Sequence, residues 1–492
     1  MGVIKRQGIQ NTIISYAGMV LGYINTILLL PNILQPDQVG ITKLLISVSG
    51  MFAQFSALGF TSVTFKFFPF YRDKEKQHHG FLFMLLAVPL AGFALISLLF
   101  VLFKPVVLRY YAPQEAEILL KYYYYIILLA FFALFYILQD AYLKSLYKTV
   151  VPSFVQDFLL RVLTTIAISL YAFDLLNFEQ FVHLYIGINC ATALILSAYL
   201  IFLKQFFVKP TWQAFKIRPL KEILNYGLFS FIGNISTTLN NNIDSLMILH
   251  YLGAGQVGIF QIAFFVTSAI RIPANSILKI VVPQVSDYWS SQDLPALKSI
   301  YQRVTSINLV LGGLLFIGIW ANMDNIFSFM PAVYNEGAYV FFFIGVARVF
   351  DMATGLNGVI LLTSEKYRYD LLFNALLAVL TIITNYIFIP LYGISGAAFA
   401  SMLTIVAINL ARLIFVWAVY KMQPFVWKSL LIVAIAVVTY GASELIPFLG
   451  NNYLDLAVRS VFISALYGIL ILALKASPDA SAFVNNIIRR FK

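Results

Sequence analysis

Apolar residues in this chain gather into long runs rather than into the alternating or three-to-four spacing of a water-soluble fold. A crossing helix needs about 20 mostly apolar residues to traverse roughly 30 Å of hydrocarbon. Runs of that kind lie near 8–30, 40–61, 80–103, 118–138, 154–173 and 181–203. After a polar stretch they resume near 223–249, 257–282, 304–321, 338–362, 370–389, 393–417, 427–446 and 455–474. The pattern predicts an all-α integral membrane protein of about fourteen transmembrane helices. No connection is long enough to fold separately, so whatever the chain does, it does within the membrane.

A repeat organises these spans. Ile33-Leu34-Gln35-Pro36-Asp37-Gln38-Val39-Gly40-Ile41 resembles Tyr251-Leu252-Gly253-Ala254-Gly255-Gln256-Val257-Gly258-Ile259, 218 positions later. Each copy joins the first two spans of a block of six. The expected organisation is an N-lobe over 1–203, a basic connection over 204–222 and a C-lobe over 223–417. Spans 13 and 14 with a tail complete it over 418–492. Blocks with an even number of spans enter the membrane from the same side, giving two lobes in parallel pseudo-two-fold repeat with a binding cleft between them.

Composition supports lipid as the solvent. Apolar residues make up 61% of the chain and charged ones 11%, against about 25% charged in soluble domains. The net charge of +12 would suggest nucleic acid in a soluble protein. Here the basic residues sit in short segments between apolar runs and on one side: twenty-three Lys and Arg fall on one face and four on the other. The positive-inside rule places both termini in the cytoplasm. Lys5 and Arg6 precede an apolar run without a small-residue cleavage site, so that run is expected to be kept as the first span. Cys190 is the sole cysteine, which excludes an internal disulfide and a multi-cysteine metal site.

Polar groups at bilayer depth mark the candidate site, because each costs about 2.5–3.5 kcal/mol to insert when charged. Arg271 stands about 20 Å along a helix from Gly258, near mid-membrane, with Pro273 two residues on. Its planar fork suits a phosphate; the alternative is a structural partner for Asp244. Arg348 and Asp351 share a helical face and are expected to pair, as are Asp157 and Arg161. Lys43 lies one turn from Gly40 and either lines the cavity or reaches the surface. The seventh span carries Asn234, Ser236, Thr237, Thr238, Asn240, Asn241, Asn242, Asp244 and Ser245, too many amides and hydroxyls for a lipid-facing helix. The first span offers Asn25 among others. The substrate-binding candidates are therefore Arg271, Asn234, Thr238, Asn241, Asp244, Lys43, Arg348, Asp351 and Asn25. The four histidines have no metal-ligand spacing and no GxxxxGK[ST] loop occurs, so the chain is expected to be neither an enzyme nor dependent on a cofactor.

Several local patterns resemble the multidrug/oligosaccharidyl-lipid/polysaccharide exporter superfamily, in particular its Wzx-type polysaccharide and O-antigen flippase branch. Leu34-Gln35-Pro36-Asp37-Gln38-Val39-Gly40 is similar to that branch's "LGPEEYG" turn. Ala57-Leu58-Gly59-Phe60 resembles its "DLGL" step, ahead of the basic loop from Lys66 to Lys76. Ile389-Pro390-Leu391-Tyr392-Gly393-Ile394-Ser395-Gly396-Ala397-Ala398 resembles its "P-x-x-G-I-x-G-A-A" turn. The resemblance implies a flippase that translocates an undecaprenyl-diphosphate-linked oligosaccharide across the bacterial inner membrane by alternating access. The product would serve O-antigen, lipopolysaccharide or capsule synthesis, and a Na⁺ or H⁺ gradient would supply coupling. The expected partners are the lipid-linked oligosaccharide and the bilayer, with no nucleic acid, a monomeric state and contacts to other polysaccharide-assembly proteins. The alternatives are a multidrug or metabolite antiporter of the same superfamily, or a membrane-embedded polysaccharide polymerase or glycosyltransferase. A cationic drug would favour an acidic cavity, whereas the mid-depth excess here is basic. The polymerase class usually carries a sizeable loop.

Overall fold

The computed structural model of the protein describes residues 2–111, 113–209 and 217–477. The middle of the basic connection (210–216) and the tail beyond 477 lie outside the described residues. Every regular element described is helical, as the apolar runs predict. The main helices of the first part are α1 (Gly2–Tyr23), α2 (Pro36–Ser56), α3 (Phe60–Tyr71), α4 (Phe81–Leu102) and α5 (Pro113–Ser145). There follow α6 (Leu160–Ala172), α7 (Phe178–Phe202), α8 (Leu220–Leu252) and α9 (Ala254–Ser290). The chain continues through α10 (Leu294–Trp320), α11 (Ala338–Thr354), α12 (Leu356–Thr363) and α13 (Tyr367–Tyr420). It ends on α14 (Trp427–Glu444) and α15 (Asn452–Ala473). Turns of π-helix, Ile24–Leu29 and Phe154–Leu159, follow α1 and precede α6.

Twelve of the described helical stretches are long and apolar enough to cross a membrane, where the sequence pattern suggests fourteen. Two features account for the difference. Helix α8 is thirty-three residues long but too polar to qualify. Helix α13 runs 54 residues as one element, about 80 Å at 1.5 Å per residue. It is broken at Gly393, whose φ of 60° and ψ of −142° no helix contains. That glycine is the centre of the "P-x-x-G-I-x-G-A-A" turn.

Contacts divide the chain into two compact units, 1–258 and 259–492, the division falling just inside α9. Helix α8, which the sequence repeat places in the second block, lies in unit 1. The reason is visible in its contacts: Ser47 on α2 donates to Asn242 Oδ1 at 2.8 Å, and Gly227 lies backbone to backbone with Gly59. Gly59 has φ +76°, a conformation side chains resist, so the Ala57-Leu58-Gly59 step needs its glycine twice over.

The core of unit 1 is built from Phe60, Phe67, Phe68, Phe81, Leu134, Tyr142 and their neighbours on α3, α4, α5 and α7. The basic loop after α3 is folded onto it. Asp73 accepts the Lys76 amide at 3.2 Å, and that bond is the main cause holding its carboxyl below the usual range. His78 is buried against Phe68, Tyr142 and Phe207.

Unit 1 also holds both copies of the repeated turn. Pro36 opens α2 and Gln35 and Gln38 cap each other's backbone. Gly40 lies on the carbonyl oxygen of Ala254, and Gly258 on that of Pro36; a Cβ at either glycine would collide with that oxygen. Pro36 and Ala254 are themselves 218 positions apart. Adding the repeat offset therefore exchanges the two halves of the contact, the reciprocity a local two-fold relation produces.

In unit 2 one core joins α9, α10, α12 and α13 around Val285, Leu297, Tyr301 and Ile360. A second joins α10, α14 and α15 around Ile432, Ile463 and Tyr467. A buried ionic knot secures the last hairpin. Arg459 on α15 bonds Asp455 at 3.2 Å and the carbonyls of Ser443 and Ile446 at 2.7 and 3.1 Å, while Asn325 donates to Asp455 at 2.6 Å. The Asp455 side chain is only 2% exposed. Removing one partner of a buried pair costs about 3–5 kcal/mol. Asp455→Ala is therefore expected to lower the thermal midpoint of the purified protein sharply, and an unchanged midpoint would show the knot to be incidental.

Candidate functional site

The sequence-predicted polar residues are distributed over both units. In unit 2, Arg271 on α9 forms an ion pair with Asp351 on α11, Nη2 to Oδ2 3.4 Å. Its partner is thus Asp351, not the Asp244 that sequence reasoning offers as the structural alternative, because α11 packs in the same unit while α8 packs in the other. Asp351 also accepts from Asn409 Nδ2 at 3.2 Å, so Asn409 belongs to the site although nothing in the spacing marks it. Arg348 places its guanidinium 5.1 Å from the Phe264 ring centre. The Arg271 and Asp351 side chains are 43% and 25% exposed. The pair is reachable, and a guanidinium still accessible in this way can take a second anion.

Helix α11 separates two environments. Arg348 and Asp351 occupy one face. Val346, Val349, Phe350 and Ala353 occupy the opposite face and line a cavity of about 550 Å³, together with Phe316 and Trp320 of α10 and Val433 and Tyr440 of α14. Its walls are almost wholly hydrocarbon. One helix turn from Asn409, Arg412 pairs with Asp370 at 3.0 Å and bonds Asn374 at 2.9 Å. Both side chains of that pair are 12% exposed, so its charges are largely withdrawn from solvent.

In unit 1 the amide-rich helix α8 is two-faced. Ser236, Asp244 and Ser245 are buried, and Asn242 is committed to α2 through Ser47. Asn234, Thr238 and Asn241 follow one another at helical spacing on another face, half-buried, half-buried and exposed. Among the described residues the Asn234 and Asn241 side chains accept and donate no hydrogen bond, which an amide in a hydrocarbon environment cannot sustain. Water or a polar ligand must reach that face. Cysteine placed at Asn241 in a Cys190→Ser background is expected to react rapidly with a small water-soluble thiol reagent, and cysteine at Asp244 to be protected. Equal protection of both would put the Asn241 face in a dry helix contact.

Asn25 is 4% exposed and holds α1 to α6: its Nδ2 donates to the Arg161 carbonyl at 2.9 Å and its Oδ1 accepts from Thr165 at 2.7 Å. The structure gives it a packing role. Asp157 and Arg161 do not pair as α-helical spacing suggests. The π-turn Phe154–Leu159 shifts the register between them; Asp157 accepts from Ser15 at 2.8 Å, and Arg161 donates to the Gly18 carbonyl at 2.8 Å. Asp157 and Asp140, with Lys144, Gln156 and Asn189, line a cavity of ≈ 370 Å³. Lys43 is half-buried on α2, one turn before Ser47.

Comparison with known proteins adds to this geometry. The family described as "Polysaccharide biosynthesis protein" matches residues 4–289. A probable low-salt glycan biosynthesis flippase, Agl15 of Haloferax volcanii, is 22% identical over 278 residues, 55% of this chain and 57% of that protein. The match thus spans little more than half the relative's length. Among solved structures, the Lipid II flippase MurJ in an inward closed conformation superposes over 98% of this chain and 100% of its own, with TM-score 0.74 and 15% identity. An inward-facing multidrug resistance transporter of the MATE family and MOP superfamily superposes over 84% of this chain and 98% of its own, with TM-score 0.63 and 14% identity. The fold is shared with both transporters.

Proposed function

We propose that this chain, which belongs to the polysaccharide biosynthesis protein family, is a flippase that carries a lipid-linked oligosaccharide across the membrane by alternating access. The observation that carries the reading is the Arg271–Asp351 pair: a guanidinium at span depth, held by one carboxylate and still open on its other edge. Such a fork binds a phosphate oxygen pair better than any neutral group. The substrate is taken to be an undecaprenyl-diphosphate-linked glycan destined for O-antigen, lipopolysaccharide or capsule. Its diphosphate would meet Arg271, and its prenyl chain suits the apolar cavity behind α11. Fourteen crossings, cytoplasmic termini and a place in the inner membrane complete the proposal, and no covalent chemistry is required of the protein. The kinship to a glycan biosynthesis flippase and the MurJ-like fold support it.

A drug or metabolite antiporter is the second reading, and the cavity lined by Asp140 and Asp157 favours it, since carboxylates suit cations. The same carboxylates serve the flippase reading as the entry for a coupling Na⁺ or H⁺. Depletion of the protein in cells separates the two. Lipid-linked glycan should accumulate where a membrane-impermeant periodate probe cannot oxidise it in spheroplasts. Unchanged glycan exposure together with lost efflux of a cationic dye would favour the antiporter.

A further inference from the structure

The cavity of ≈ 370 Å³ in unit 1 is walled by groups of mixed character. Small-molecule sites run to about 300–1,000 Å³, so it has room for an organic ligand and far more than a single ion fills. Helix α5 brings Asp140 and Lys144, which pair at 2.6 Å. The Lys144 side chain is 43% exposed, so the cavity can be reached at that end. The π-turn Phe154–Leu159 carries Gln156 and Asp157 to the same wall. Ser15 donates to Asp157 Oδ2; a carboxylate has about four acceptor positions, so it can accept further bonds. Asn189 on α7 spends its Nδ2 on the Tyr185 carbonyl at 2.8 Å, which leaves the amide oxygen as its acceptor. Tyr136 completes the wall, pinned by its hydroxyl on the Pro152 carbonyl at 3.1 Å.

Donors, acceptors and a ring in one small cavity match the surface of a sugar. A hydroxyl both donates and accepts: it can donate to the carboxylates and amide oxygens and accept from the ammonium and the Gln156 amide. The C–H face of the ring suits an aromatic wall. A cationic drug fits less well, because Lys144 puts a positive charge in the same wall. Two carboxylates against one ammonium leave the lining net negative, and like charges brought together exclude a wrong ligand. We infer that this cavity is a sugar subsite, which takes a neutral ring of the lipid-linked glycan and rejects an acidic one. This rests on the flippase reading and deepens it, giving the glycan rather than its carrier a site in unit 1 and naming the class of sugar.

The full chain carrying Cys190→Ser and Ser153→Cys, the latter on the cavity wall, is alkylated in phosphatidylcholine nanodiscs with a small water-soluble maleimide. The competing probes are two synthetic farnesyl-diphosphate-linked disaccharides, one ending in glucose and the other in glucuronic acid. The glucose probe is expected to protect the introduced thiol at concentrations at least about tenfold lower than the glucuronic acid probe, the worth of one charge-assisted hydrogen bond. Asp157→Asn keeps an oxygen for Ser15 and drops the charge, and should let the acidic probe protect as well as the neutral one. Gln156→Lys, at an exposed position, should also admit the acidic probe, and it makes the same test where Asp157→Asn does not fold. Unfolding cannot produce such a gain. An unreactive thiol, no protection by either probe, equal protection by both, or discrimination unchanged in the variants would overturn the subsite. Protection by farnesyl diphosphate alone would assign the cavity to the carrier, and protection by sodium chloride or tetraphenylphosphonium without saccharide would assign it to a cation; either overturns it. Protection is read without transport, so a failed subsite is told apart from a failed flippase reading, which shows as absent glycan translocation.

Discussion

Arg271→Ala is expected to reduce glycan translocation by about 30- to 4,000-fold at matched protein levels. The range follows from about 2–5 kcal/mol for losing one partner of a desolvated charge contact, at 1.4 kcal/mol per tenfold. Its effect on folding should be small, because the Arg271–Asp351 pair is 43% and 25% exposed and such pairs contribute about 1 kcal/mol or less. Arg271→Lys should fall between, keeping the charge but losing the planar fork. The structure also identifies the correct compensating change. If Arg271 serves only to neutralise its neighbour, Arg271→Ala combined with Asp351→Asn restores activity. The flippase reading expects no rescue, since a neutral pair has nothing to offer a diphosphate. Surface glycan measured across the three variants decides it.

The second large effect belongs to the repeated turns. Gly40 and Gly258 pack on the carbonyl oxygens of Ala254 and Pro36 with no room for a Cβ. Overfilling a packed contact costs about 1–3 kcal/mol, and here the obstacle is backbone that cannot swing aside. Gly40→Val and Gly258→Val are each expected to cut translocation at least about tenfold, with a lower thermal midpoint. Because both substitutions disrupt one reciprocal contact, the double variant should be little worse than either single. Gly255→Ala is the control: its Cβ would find nothing closer than 3.8 Å and should be tolerated. Additive losses, or equal damage at Gly255, would contradict the reciprocal contact.

How far the sequence spoke depends on which physical signal a residue carries. Hydrophobic runs are long-range averages and survive local error, which is why the helical membrane fold was legible from them. The two departures in span number both trace to local features: the amides of α8 and the single non-helical residue Gly393. The repeat was legible because glycines at Gly40 and Gly258 are demanded by a backbone contact, and such a demand leaves a mark in sequence. Arg271 was legible as a cation out of place, but its partner was not: Asp351 and Asn409 meet it through tertiary packing that spacing does not encode. For Asp157 and Arg161 the spacing misled, because a π-turn falls between them. Asn25 shows the converse limit, a polar residue in a span that packing consumes entirely.

Leaflet exchange in sealed vesicles tests the central claim most directly. Purified protein is reconstituted with an undecaprenyl-diphosphate-linked oligosaccharide placed in one leaflet, and the fraction reachable by an impermeant glycosidase outside is followed over time. The account predicts protein-dependent equilibration that Arg271→Ala loses. Exchange no faster than in protein-free vesicles, under both imposed Na⁺ and imposed H⁺ gradients, would contradict it.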